Sequence, residues 1–183
     1  MTSARSEATS LAEFQNPRRL AEFGFIGGVR ISELQRSGAK ARRTGPDVPR
    51  APGVYVIVRK SARPVRFSRA SCGGWFKQRN PALPLATLKE RWVAGAKILY
   101  IGKAGGPTQS ATLHSRLWVY MRFGLGEACA HWGGRCIWQL VDAGDLLVYW
   151  KPTPTQTPRR VEKTLLEAFV QRYGQRPFAN LTG

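Results

Sequence analysis

Two short apolar runs constrain this chain most. Residues 53–59 read Gly-Val-Tyr-Val-Ile-Val-Arg, and residues 97–102 read Lys-Ile-Leu-Tyr-Ile-Gly. β-Branched and aromatic side chains suit a pleated, part-buried surface, so both runs are expected to be strands. Helical signals come after them. Ser110 is a plausible N-cap for a helix through Met121 or Arg122 that ends near Gly124. A last helix is expected after Thr157, with Pro158 in its first position and Gly174 at its end. Its apolar residues Val161, Leu165, Leu166, Phe169, Val170 and Tyr173 recur at helical spacing, so one face is core. Between the two helices, Arg135–Val141 and Leu146–Lys151 read as a hairpin around the turn at 142–145. Pro84–Val93 reads as a further short helix, and Phe25–Leu34 as a short strand running into a turn. This order predicts an α+β layer structure, a small antiparallel sheet flanked by helices. Residues 37–52, with Pro46, Pro49 and Pro52, look like a linker. The organisation expected is an N-terminal extension and linker over 1–52, then a main domain over 53–183 with a basic insertion at 61–97.

Charge narrows the partner. The chain carries 29 Lys and Arg against 11 Asp and Glu, a formal net charge of +18. Such a surplus repels itself in a compact state and is most easily explained by a polyanion, nucleic acid first. Half of it lies in residues 51–97, where ten basic residues face a single acid, Glu90. There Trp75, Phe76 and Trp92 interleave with Arg63, Arg66, Arg69, Lys77 and Arg79, a composition suited to phosphate contacts and base stacking. A second set, Lys151, Arg159, Arg160 and Lys163, surrounds the start of the last helix. No basic amphipathic helix with a wide apolar face, lipidation motif or membrane-length run is present, so a membrane partner is not expected. The three cysteines, Cys72, Cys129 and Cys136, are too few and odd in number for a disulfide framework, and no apolar leader opens the sequence. A cytoplasmic protein is the expectation. The stretch from Cys129 through His131 to Cys136 invites a zinc reading, but it lacks a close CxxC pair and needs Cys72 or His114 as a fourth ligand.

The two strand runs carry Gly53-Val54-Tyr55 and Tyr100-Ile101-Gly102-Lys103. Three further segments, in fixed order after them, are more specific than either triplet. Arg116-Leu-Trp-Val-Tyr120 places an aromatic one turn after an arginine. Glu162-Lys-Thr-Leu165-Leu166 with Phe169 sits on the last helix, and Pro177-Phe-Ala-Asn180 closes the series. Together these resemble the GIY-YIG nuclease superfamily, with Val54 in place of the usual Ile, over roughly residues 53–60 and 98–180. Two connections are longer than in compact members: the insertion at 61–97, and the loop between Lys103 and Arg116.

The resemblance implies an endonuclease that hydrolyses DNA phosphodiester bonds with one divalent ion, Mg²⁺ or Mn²⁺. It implies catalytic roles for Tyr55, Tyr100, Lys103, Arg116, Glu162 and Asn180, with His114 and Tyr120 as auxiliaries. Such hydrolysis needs an activated water and counter-charge for the transition state. Glu162 is the implied metal ligand, and the apolar residues three, four and seven positions on favour it over Glu167. The Arg116 guanidinium matches phosphate oxygens and stays charged. The two phenols would orient or deprotonate the water, and base action would need cations such as Lys103 and Arg116 to lower their pKa. Asn180 would hydrogen-bond the backbone of the site. The alternatives are a non-catalytic nucleic-acid-binding module on this scaffold and an RNA-directed nuclease, although no RNP or KH motif supports the latter.

Overall fold

The computed structural model describes residues 16–40, 47–106, 110–129 and 131–181. Four strands, β1 (Ile26–Arg30), β2 (Gly53–Val58), β3 (Ile98–Ala104) and β4 (Leu147–Pro152), form one antiparallel sheet in the order β1-β4-β2-β3. Its helices are α1 (Ile31–Lys40), α2 (Leu85–Arg91), α3 (Leu113–Gly124) and α4 (Pro158–Tyr173). The architecture is therefore α+β.

β2 lies between β3 and β4, and all six of its residues are buried. A strand covered on both faces carries an unbroken apolar run rather than an alternating one, as Val54–Val58 does. Val54, Val56 and Val58 share one core with Ile98, Ile101 and the α4 residues Val161, Leu165 and Phe169. Tyr55 and Ile57 face the other core, with Tyr100, Trp150 and the α3 residues Leu113, Leu117, Tyr120 and Met121. Each fully buried apolar side chain is worth about 1.5–3 kcal/mol of transfer free energy, so α4 is fastened mainly by Val161, Leu165 and Phe169.

The caps of α4 agree with the sequence: Pro158 opens it, and Gly174 closes it at φ 73°. Val170 lies exposed, outside the apolar stripe expected to include it. The cap of α3 is Thr112, not Ser110. The Thr112 hydroxyl accepts from the Ser115 N–H while the Ser115 hydroxyl accepts from the Thr112 N–H, which satisfies two otherwise orphaned donors. The expected hairpin has only its second limb. Residues 135–139 form a 3₁₀ turn that buries Cys136, Ile137, Trp138 and Gln139. Residues 26–36, read as part of an extension, supply the edge strand and a helix whose Ile31 and Leu34 enter the main core.

The basic segment 61–97 is tied down at named points. The buried Arg59 guanidinium pairs with Asp142 at 2.7 Å and donates to the carbonyls of Ser61 and Arg63. The Gln139 amide, fully buried, accepts from the Leu83 N–H at 2.7 Å and donates to the carbonyls of Ser68 and Leu83. Among the described residues no helix is long and apolar enough to cross a membrane.

Candidate active site

Tyr55 on β2 and Tyr100 on β3 meet on the α3 side of the sheet, with ring centroids 5.8 Å apart, edge to face. Tyr55 pairs in register with Gly102, and this glycine makes room for the phenols. A Cβ at position 102 would stand 2.6 Å from the Tyr55 Cζ, 2.7 Å from its hydroxyl and 2.9 Å from the Tyr100 Cε1. The glycine of the YIG triplet is thus required by close approach rather than by backbone conformation.

Arg116, in the first turn of α3, acts electrostatically on Tyr55, Tyr100 and Glu162 alike. Glu162, on the first turns of α4, is half-buried and feels Lys103 and Arg159 as well. Groups spread over more than a hundred residues of sequence therefore share one electrostatic neighbourhood. Burial pushes the Glu162 carboxyl up, against the pull of Lys103, Arg116 and Arg159. Glu167, by contrast, is exposed and lies 3.7 Å from Lys163. That contrast favours Glu162 as the site's carboxylate.

The phenols differ from the sequence expectation. Burial pushes both Tyr55 and Tyr100 up, Tyr55 strongly, and the Arg116 charge offsets it only in part. Both therefore stay protonated at neutral pH and are suited to orienting a water by hydrogen bonding rather than to removing its proton. They are not equivalent. The Tyr55 hydroxyl is sealed from solvent and lacks a well-aligned hydrogen bond, although Tyr100 and Arg116 lie near it. Tyr100 retains 7% exposure and feels Glu162.

The remaining candidates separate by role. Asn180 faces β3 from the C-terminal segment: its Oδ1 accepts from the Ile101 N–H at 2.9 Å, and its Nδ2 donates to the Ile101 carbonyl at 2.7 Å. With the Ala179 N–H donating to the Leu99 carbonyl, this segment occupies the free edge of β3 and fixes the residue between Tyr100 and Gly102. Tyr120, fully buried, donates its hydroxyl to the Gly134 carbonyl at 2.7 Å, so it holds the loop that crosses the site. His114 is exposed on the first turn of α3. His131, read in the sequence only as part of a zinc stretch, instead stacks on Tyr120 at a centroid distance of 4.3 Å, is 1% exposed, and feels the Arg116 charge. No spacing pattern marks that placement, because its burial depends on the loop folding back.

Arg63, Arg66, Arg69, Lys77 and Arg79 belong to the basic segment, and all five are exposed. Arg159 and Arg160 are exposed at the start of α4, as is Lys163, while Lys151 is half-buried. Two further cations of residues 51–97 are structural. Arg59 is committed to Asp142, and Arg91 donates to the carbonyls of Phe178 and Asn180. Trp92 packs edge-on against Phe67 and Phe178 at 5.8 and 5.3 Å, so it belongs to the core and not to a binding surface. Among the described residues no three His, Cys, Asp or Glu side chains gather as a metal-holding group. A divalent ion here would have Glu162 as its protein carboxylate, with oxygen ligands from water and substrate. A half-buried carboxylate set among cations but committed to none of them fits that task for a hard cation. No protein-family model, curated protein or solved structure matches the chain.

Proposed function

We propose that the chain is a metal-dependent endonuclease of the GIY-YIG type that hydrolyses phosphodiester bonds in DNA. The observation that carries this reading is the position of Arg116, whose charge acts on both strand phenols and on the Glu162 carboxylate. A folding core has no use for that combination, whereas phosphodiester hydrolysis uses each part. Arg116 offers paired donors to the non-bridging oxygens of the scissile phosphate. Lys103 adds a second positive charge beside Glu162. Tyr100 presents its hydroxyl to the attacking water, and Tyr55 packs edge to face against the Tyr100 ring. Glu162 would hold Mg²⁺ or Mn²⁺, which supplies Lewis-acid stabilisation of the charge that develops on phosphate. Asn180 keeps the Tyr100–Gly102 backbone in register through its bonds to Ile101. The cations at 63–79 and around the start of α4 are suited to DNA phosphates on either side.

Single-turnover nicking of supercoiled plasmid tests the reading. Wild-type protein should nick in Mg²⁺ or Mn²⁺. Arg116→Ala at saturating DNA should turn over at least a hundredfold more slowly, since one preorganised donor at such a centre is worth about 3 kcal/mol. A variant that loses affinity but turns over normally would make Arg116 a docking residue.

A further inference from the structure

The basic segment contains one feature that neither the core nor the catalytic set uses. The Phe76 carbonyl accepts from the Arg79 N–H at 3.1 Å, and the two residues pair across a tight turn. The turn is made by Lys77 and Gln78 at φ 50° and 58°, the only described non-glycine residues in the left-handed region. Two consecutive left-handed positions are normally filled by Asn-Gly or a similar pair. Lys77 and Gln78 bring side chains where the backbone disfavours them, a pattern typical of functional loops held in place from outside.

That hold is visible. The Gly74 N–H donates to the Phe123 carbonyl at 2.8 Å, at the end of α3, and the Cys72 N–H donates to the Trp138 carbonyl. The Gly74 Cα lies so close to the Glu127 backbone that no side chain fits there. The base of the turn is therefore seated on α3, while its tip projects. Trp75 is 59% exposed, the most exposed aromatic ring described. Lys77 covers the Phe76 ring, with Nζ 5.6 Å from its centroid, and Arg79 is exposed beside them.

We propose that the Trp75–Arg79 turn is a stacking wedge: Trp75 receives an unstacked nucleobase of the DNA substrate while Lys77 and Arg79 hold the flanking phosphates. A large exposed ring next to cations fits a base and its phosphates, because every base offers a π-face and stacking is tolerant of sequence. The surrounding charge makes a basic or apolar protein partner the poorer fit, with Arg69, Lys77 and Arg79 in the same stretch and no acid between residues 61 and 89. This inference rests on the endonuclease reading, since it takes DNA as the polyanion.

The test measures affinity in EDTA, so that cleavage plays no part, for an oligo-dT single strand, a duplex with one unpaired base, and the fully paired duplex. Trp75→Ala should weaken binding to the first two by about five- to a hundredfold, the range of one stacking ring. It should leave the paired duplex within twofold. Trp75→Phe should recover most of the loss, because a smaller ring still stacks. Trp75 is exposed, so both variants should keep the wild-type circular dichroism. Equal affinity of wild type and Trp75→Ala for all three ligands would overturn the wedge while leaving the nuclease reading intact. So would a change in self-association, seen by sedimentation, without a change in DNA binding. Wild-type protein that binds none of the three would overturn both.

Discussion

His131 is the buried group whose behaviour can be worked out most fully. Neither imidazole nitrogen makes a hydrogen bond of ordinary geometry, and the ring is stacked on Tyr120. Burial, followed by the Arg116 charge, lowers its pKa from 6.5 to about 3, with the Gly133 backbone opposing the shift only in part. In the unfolded chain this histidine takes up a proton below pH 6.5, which the folded chain refuses until about pH 3. Stability should therefore be complete above pH 6.5 and fall as pH drops through that window. One pH unit inside the window corresponds to about 1.4 kcal/mol. From pH 7.5 to 4.5 the folded state should lose ~2.7 kcal/mol through this one residue. The perturbation is His131→Phe, which keeps a flat ring against Tyr120 and removes both nitrogens. Urea denaturation of both proteins at pH 7.5 and 4.5 reads the difference, because every other group is common to both and cancels. The wild-type loss should exceed the variant loss by ~2–3 kcal/mol. Equal losses would mean that His131 is solvated or paired, and the packing of the 131–134 loop over Tyr120 would be wrong.

Other perturbations address the site directly. Tyr100→Phe should reduce nicking far more than Tyr55→Phe, since only Tyr100 keeps some exposure and feels Glu162; the reverse order in single-turnover assays would exchange their roles. Gly102→Ala should destabilise the fold by about 1–3 kcal/mol, the usual range for overpacking a core, and should abolish nicking by displacing the Tyr55 ring; an unchanged melting temperature and activity would contradict the packing. Neutralising Arg63, Arg66, Arg69, Lys77 and Arg79 together should make the log-affinity versus log-salt slope shallower, by roughly 0.9 for each phosphate no longer neutralised. An unchanged slope would place the phosphates on Lys151, Arg159, Arg160 and Lys163 instead.

Much of the fold is legible in the sequence, and the exceptions have physical causes. β2 and β3 stand out because residues 54–58 and 98–101 are dense in β-branched and aromatic side chains, and α4 because Pro158 and Gly174 mark its ends. Arg135–Gln139 misleads because Ile137 and Trp138 suit a strand equally well. The segment instead coils into a 3₁₀ turn, whose burial comes from packing over α3 and not from alternation. α1 is hidden by Ser37 and Gly38, poor helix formers in its last turns, and is held by Ile31 and Leu34 in the core. Residues 51–97 show the limit of composition. Arg59, Arg91 and Trp92 look like binding residues by type, and only tertiary partners assign them to structure. The pairing of Tyr55 with Gly102 depends on strand register, which triplets read separately do not supply.

The central claim is that a carboxylate on α4 anchors the ion that makes this basic protein a nuclease. Glu162→Gln tests it most directly, with plasmid nicking in Mg²⁺ and Mn²⁺ measured beside DNA affinity in EDTA. The account predicts that nicking disappears while affinity stays within about twofold, because the exposed cations are untouched. Nicking at the wild-type rate by Glu162→Gln, or binding without nicking by the wild type in either ion, would contradict it.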